Sequence, residues 1–339
     1  MTALSLLSQP AFRSELLARV SAEVEGVQNA ILEATESRSD MVERVVRHTL
    51  SGGGKRLRPA FVMLAARAID PDAPTERLHR LGACMEMVHM ATLVHDDVVD
   101  NSPTRRGRPT AGVAFGNTAS ILTGDVLLAK AMALLAEDGD LGMIATVSNA
   151  VVEMAEGEVL ELEQRGDFDL DETRHREVLH LKTAAFIRCC CEIGAIAAGG
   201  TRAQVEALAE YGARVGLAFQ IADDLLDYRG DNRKTGKPIA TDFREGQATL
   251  PLIALRDKLS PGELGIARRR FGANVSEDEI RMIGDWMETR GAYAYAEAAA
   301  QAEIDAAKAA LGSLDHAPES AEPVAMLDAI ADYVLTRQS

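Results

Sequence analysis

Asp96, Asp97 and Asp100 stand together as Asp-Asp-Val-Val-Asp, and Asp223, Asp224 and Asp227 repeat the pattern as Asp-Asp-Leu-Leu-Asp. On a helix the first and last Asp of each group are four residues apart, on one face and about 6 Å apart along the axis. Like charges on one helix face repel, and Asp is a poor helix former besides. A hard divalent cation offsets that cost, since Mg²⁺ takes one or two carboxylates and keeps water and phosphate oxygens as its other ligands. A single acidic group of this kind is also what a plain solvated face looks like. Two copies, each at the polar end of an otherwise apolar stretch, favour a pair of metal-holding motifs.

The cations sharpen that reading. The chain carries 36 Lys and Arg against 52 Asp and Glu, a formal net charge of −16, which argues against the basic face that nucleic-acid binding depends on. Its scarce cations gather beside the special segments. Gly52-Gly53-Gly54-Lys55-Arg56-Leu57-Arg58-Pro59 puts three of them in a glycine-rich turn that opens a helix, where backbone N–H groups and the helix dipole favour an anion. A triglycine turn is common on its own. Arg105 and Arg106 follow the first acidic group, however, and Lys234 and Lys237 follow the second. Arg grips phosphate oxygens as a bidentate fork, and Lys adds a point charge. Acids for a metal flanked by cations for phosphate imply a diphosphate substrate.

Long helices must carry these groups, and the sequence supplies helical spacing almost throughout. Leu78, Leu81, Met85, Val88 and Thr92 recur at that period, as do Leu122, Val126, Ala129 and Ala133. Alternating runs are nearly absent, and only 4% of residues are aromatic, a composition that favours helix over sheet. The expected fold class is all-α, one domain over residues 1–339 of long, mostly antiparallel helices, each of about 15–30 residues. Breaks are expected at segments such as Asp70–Pro74, Asn101–Gly107, Gly166–Asp171, Gly230–Ile239 and Ala317–Pro323. The Ala-rich stretch Ala292–Leu311 reads as a surface helix without chemistry. Cys84 and the contiguous Cys189, Cys190 and Cys191 lack metal-ligand spacing and read as small buried residues in a reducing compartment. Met1–Pro10 has no signal-peptide character, and the most apolar stretch, Ala184–Gly200, is broken by Arg188 and Glu192, short of the roughly 20 apolar residues of a spanning helix. The expected location is the cytoplasm, without a transmembrane segment.

Taken in order, several motifs make the chain resemble the trans (all-E) isoprenyl diphosphate synthases between about residues 45 and 255. They are Gly54-Lys55-Arg56-Leu57-Arg58-Pro59, His95-Asp96-Asp97-Val98-Val99-Asp100 with Arg105-Arg106-Gly107, Gly124-Asp125, Lys182-Thr183-Ala184, Phe219-Gln220, Asp223-Asp224-Leu225-Leu226-Asp227, Gly236-Lys237 and Thr249-Leu250-Pro251. The resemblance implies long helices around a deep central cavity, the isoprenoid synthase fold, and usually a homodimer. It implies condensation of isopentenyl diphosphate, head to tail, onto an allylic diphosphate such as farnesyl diphosphate. It also implies Mg²⁺ as the cofactor, about three ions per site, each with few protein carboxylates.

Carried over by position, Asp96, Asp97, Asp100, Asp223, Asp224 and Asp227 hold Mg²⁺ on the allylic diphosphate. Lys55, Arg58, His89 and Arg106 match the isopentenyl diphosphate site. Arg105, Lys182, Thr183, Gln220 and Lys237 match positions that contact the allylic substrate and its leaving group. A lone His on an apolar helix is ordinarily a core residue, but His89 lies seven residues before Asp96, as in the family. The chemistry fits these residue types: ionising the allylic C–O bond needs stabilised leaving charge and a dry, apolar cavity, and no protein nucleophile.

Gln247 departs from the family, which usually has Lys there. Weaker allylic binding or compensation by Arg244 is expected. No aromatic residue occurs from Leu81 to Val94, so the path past Ala91, Thr92, Val88 and Met85 is expected to be open. With the Met90–Asp100 run, this resembles the polyprenyl synthases of quinone side chains and implies a product of about C35 to C50. Alternatives are a geranylgeranyl diphosphate synthase, a terpene cyclase or a non-catalytic subunit.

Overall fold

Runs of helix formers, with glycine and proline kept to the joints, fold the chain into packed helices. The computed structural model describes residue 18, residues 24–229 and residues 239–336. Lys234 and Lys237 lie outside the described residues, as does Gly236. The helices are α1 (Glu25–Ala34), α2 (Asp40–Ser51), α3 (Leu57–Ile69), α4 (Thr75–Val99), α5 (Ala111–Phe115), α6 (Asn117–Asp138), α7 (Leu141–Gln164) and α8 (Glu172–Leu179). A π turn, His180–Ala184, leads into α9 (Ala185–Ala197) and α10 (Arg202–Arg229). There follow α11 (Thr241–Glu245), α12 (Leu250–Arg256), α13 (Pro261–Arg270), α14 (Glu277–Thr289), α15 (Ala292–Gly312) and α16 (Ala321–Thr336). A two-residue antiparallel hairpin, β1 (Thr104–Arg105) with β2 (Arg108–Pro109), was not anticipated.

Starts and stops follow local chemistry. Ser260 and Ser276 close capping boxes with Glu263 and Glu279 at the heads of α13 and α14. Thr249 stands before α12 with Pro251 in its first turn. Among the described residues only α4, α6, α7, α10, α15 and α16 reach the expected length; the other helices are shorter, down to 5 residues in α5 and α11.

α10 runs through the middle, flanked by α9 on one side and α15 on another, while α4 packs along α6. One core joins α3, α4, α9 and α16 through residues such as Phe61, Met87, Ile193, Tyr211 and Leu327. A second gathers Ile221, Phe243, Leu252, Ile283 and Met287 around the far half of α10. The Ala292–Leu311 segment is a helix with one face exposed, as expected, but its other face is packed in the core. Ala296, Ala300, Ile304 and Ala307 are fully buried, because a stripe of small side chains lets α15 lie close along α10. The break expected at Ala317–Pro323 begins earlier, since α15 ends at Gly312 and a short 3₁₀ turn, Pro318–Ser320, leads into α16.

All four cysteines are free and buried. Burial pushes the Cys84 thiol up to about 12, so it stays protonated and inert. The Ala184–Gly200 stretch is mostly α9, a buried core helix. α6, by contrast, is long and apolar enough for a membrane span by length and composition, although its inner face is buried against α4.

Candidate functional site

Both acidic motifs sit at the C-terminal ends of the two longest helices, α4 with 25 residues and α10 with 28. The helix dipole makes that end the worst place for a carboxylate. Such breaches of a local rule concentrate at functional sites. Part of the charge is offset by neighbours. Asp97 is buried and accepts a hydrogen bond from Arg105 Nε at 2.7 Å. Asp224, also buried, meets His175 Nε2 through Oδ2 at 3.0 Å. Asp227 accepts the backbone N–H of Thr241 on Oδ1 and that of Asp242 on Oδ2, each at 3.0 Å. The fit is not complete. Burial, reinforced by Glu158, pushes Asp96 up to about 7, and burial with the nearby Asp227 and Asp224 drives Asp242 well above the usual carboxylate range.

Basic residues line the same cavity as Asp224, Asp227 and Asp242. In the turn before α3, Gly53 and Gly54 take positive φ and Arg56 is left-handed at φ 50°. Three guanidiniums hold this turn by its carbonyls. Arg56 Nη2 donates to Leu50 O at 2.8 Å and Arg108 Nη1 to Ser51 O at 2.6 Å, while Arg106 Nη1 donates to Gly53 O. Arg56 also pairs with Glu86 of α4. The Lys55 ammonium lies 4.7 Å from the ring centre of Tyr333, near the end of α16. Burial lowers the Arg58 pKa. Burial and then the surrounding Arg58, Arg106, Arg105 and Arg56 hold His89 well below the usual imidazole range, so it is a neutral hydrogen-bonding group.

Lys182 and Thr183 are carried by the π turn. Such turns are frequent at functional sites, because they re-aim side chains within a helix. Lys182 Nζ pairs with Glu161 and, at 3.0 Å, with Glu158. Burial opposes its charge, but Glu161 and Glu158 outweigh that and raise its pKa. Gln220, one α10 turn before Asp223 and Asp224, lines the same cavity, as does Gln247. Arg244, expected as one replacement for the missing charge at Gln247, is not among the lining residues, and its guanidinium is engaged with Ile239 O, Val275 O and Glu277.

A cavity of about 1020 Å³ joins these groups, lined by Lys55, Arg56, Arg58, His89 and Arg106 together with Lys182, Asp223, Asp224, Asp227 and Asp242. Asp96, Asp97, Asp100, Arg105 and Thr183 are not among its lining residues, although Lys182, Arg105 and Glu158 act on Asp96 electrostatically. From α4 the lining side chains are Glu86, His89, Met90 and Leu93. Met85, Val88 and Ala91, expected along an open path, are instead fully buried in the core. Glu86, Glu158, Glu161, His175 and Tyr333 escaped the sequence reading. For Glu158 and Glu161 the usable signal, which went unread, was two carboxylates three residues apart on one helix face.

The model of the family described as polyprenyl synthetase matches residues 39–283. This chain belongs to that family. Octaprenyl diphosphate synthase of Escherichia coli (strain K12) is 36% identical over 293 residues, covering 86% of this chain and 90% of that protein. A solved decaprenyl diphosphate synthase from Rhodobacter capsulatus has a TM-score of 0.88 at 35% identity, over 96% of this chain and 99% of that one. A polyprenyl synthase from Caulobacter crescentus CB15, complexed with calcium and isoprenyl diphosphate, has a TM-score of 0.87 at 35% identity, over 96% and 98% of the two chains. The all-α isoprenoid synthase fold expected from the motifs is thereby borne out, and the chain is a prenyltransferase that makes polyprenyl diphosphates.

Proposed function

We propose that the cavity joins isopentenyl diphosphate to an allylic diphosphate such as farnesyl diphosphate and releases a long-chain all-trans polyprenyl diphosphate of the kind used in quinone side chains. The observation that carries this reading is one cavity lined both by cations of the glycine turn and by the carboxylates of the second acidic motif with Lys182. Lys55, Arg58, His89 and Arg106 hold the diphosphate of isopentenyl diphosphate. Asp96, Asp97, Asp100, Asp223, Asp224 and Asp227, with Arg105, Lys182, Thr183 and Gln220, serve the allylic diphosphate, and Lys237 is assigned there by position alone.

The donor set fits Mg²⁺, being all carboxylate oxygen, the hard ligand that ion prefers. Among the described residues no three His, Cys, Asp or Glu converge to cage a cation by themselves. That suits an ion which takes a few carboxylates and completes its shell with substrate phosphate and water. When bound, Mg²⁺ supplies Lewis-acid stabilisation of the departing diphosphate. The chain's own part is to bind and orient. Lys182 stays charged beside the leaving group, neutral His89 avoids adding a titrating charge, and Met90, Leu93 and Phe219 present an apolar lining that keeps water from the allylic cation.

A second copy completes the assembly in this reading. Ile121 and Leu122 of α6 and Val152, Val159 and Leu162 of α7 are exposed apolar side chains on neighbouring helices, and a homodimer would cover them.

Product analysis tests the reading. Purified full-length protein, given labelled isopentenyl diphosphate, farnesyl diphosphate and Mg²⁺, is expected to yield alcohols longer than geranylgeraniol after dephosphorylation. Geranylgeraniol alone would overturn the long-chain assignment, cyclised hydrocarbon would mark a cyclase, and no turnover would mark a non-catalytic subunit.

A further inference from the structure

Glu86 is a carboxylate only 2% exposed, set among the cations that line the cavity. It stands outside the motifs named above. One oxygen, Oε1, accepts from Arg56 Nη1. The other, Oε2, is buried without a protein donor, and Arg58 Nε nearby is likewise buried and unpartnered. A half-satisfied buried charge is costly by itself. Its surroundings give it a use. Arg56, Arg58 and Arg106 line the same cavity, and guanidiniums drawn together in a low-dielectric pocket repel. A fixed carboxylate below them lowers that cost without occupying the space a phosphate would take.

The connection to the turn is specific. Arg56 stands in left-handed backbone, a conformation costly for a residue with a side chain. Its guanidinium bridges Glu86 on α4 to Leu50 O at the end of α2. The Gly52–Arg56 turn is thus pinned on both sides through one side chain, with Lys55 just before that pin and Arg58 just after it.

We propose that Glu86 is a positioning residue for the diphosphate of isopentenyl diphosphate, acting through Arg56 to hold the glycine turn in the form that presents Lys55 and Arg58. This rests on the assignment of Lys55, Arg58, His89 and Arg106 to that substrate. Glu86 itself does not touch the ligand, since its charge would repel it.

Steady-state kinetics on the full-length wild type, E86Q, R56Q, R58Q and E86Q/R56Q, with each diphosphate varied against saturating levels of the other, tests this. E86Q is expected to raise KM for isopentenyl diphosphate by about tenfold or more, while KM for farnesyl diphosphate stays within about twofold. R56Q should do the same, and the double variant should be no worse than either single, because both remove one linkage. Glu86→Asp, which keeps the charge on a shorter stem, should restore part of the loss. A folded E86Q with unchanged KM for isopentenyl diphosphate, with both KM values raised alike, or with effects additive to those of R56Q overturns the proposal. Should circular dichroism show that E86Q does not fold, R56Q carries the test by itself: an unchanged KM for isopentenyl diphosphate there overturns it equally. R58Q separates the two levels, because unchanged KM in R58Q sinks the substrate assignment, and a raised KM in R58Q beside an unchanged one in E86Q sinks Glu86 alone.

Discussion

Asp96 carries a charge that the fold resists. Burial and Glu158 bring it up to about 7, so the folded protein retains a proton that the unfolded chain has already released across the range between the ordinary carboxylate pKa and about pH 7. Stability linked to this group is therefore fully present at acid pH and is lost as the pH rises through about 7. In metal-free protein with a chelator, calorimetry should find Asp96→Asn close to wild type near pH 4 and increasingly more stable than wild type toward pH 8. Turnover should nonetheless drop by about 10²-fold or more, and Mg²⁺ with inorganic diphosphate should raise Tm of the wild type but hardly that of the variant. An Asn variant that is less stable at pH 8 would contradict this account. At this scale the sequence was legible wherever chemistry is contiguous, as in the two Asp motifs and the glycine turn. It was silent on Glu86 and His175, because what makes them matter is pairing across the fold, 30 residues for Glu86 with Arg56 and 49 for His175 with Asp224.

Lys182 owes its position to how helices meet around the π turn. Gly157 of α7 comes so close that a Cβ there would lie 2.7 Å from Lys182 N, and a Cβ on Gly216 of α10 would lie 2.5 Å from Ala184 Cα. Backbone is the obstacle at both places, so no flexible side chain can swing aside. Gly157→Ala should cost about 1–3 kcal/mol of stability from overpacking and, by displacing the Lys182 ammonium, lower kcat by about tenfold or more. Gly262→Ala, in α13, is the control, since a Cβ there meets nothing within 4 Å, and both Tm and kcat should stay near wild type. Equal kinetics in the two variants would free the π turn from any part in placing Lys182. The helices themselves were readable from apolar spacing, and so were most of their ends from glycine, proline and capping residues. The π turn was not, because Leu179 to Ala185 reads as unbroken helix and the irregularity is imposed by the neighbours that pack on it. The packed face of α15 was missed for a related reason: a stripe of alanine is equally a solvated helix or a close contact until a partner is known.

At the scale of the molecule, average hydropathy does not tell an inner face from an outer one. It marked Ala184–Gly200 as the most apolar stretch, yet that segment is core, while more than half of the large apolar side chains left exposed among the described residues belong to α6 and α7. With a net charge of −16, two copies approaching at random repel, so burying exposed apolar side chains is what can offset that repulsion. A stable pair needs about 1,200–2,000 Å² of buried surface in all, which two adjoining helices of 22 and 24 residues can furnish. Sedimentation at micromolar concentration should find the wild type dimeric and Leu122→Asp/Val152→Asp monomeric, since each Asp would be buried unpaired in the joint. None of the residues assigned to the diphosphates lies in α6 or α7, so the monomeric variant should still bind inorganic diphosphate with Mg²⁺ in calorimetric titration. A variant that remains dimeric would place the interface elsewhere. A monomeric variant that loses diphosphate binding would mean instead that the second copy shapes the cavity as well as covering the apolar face.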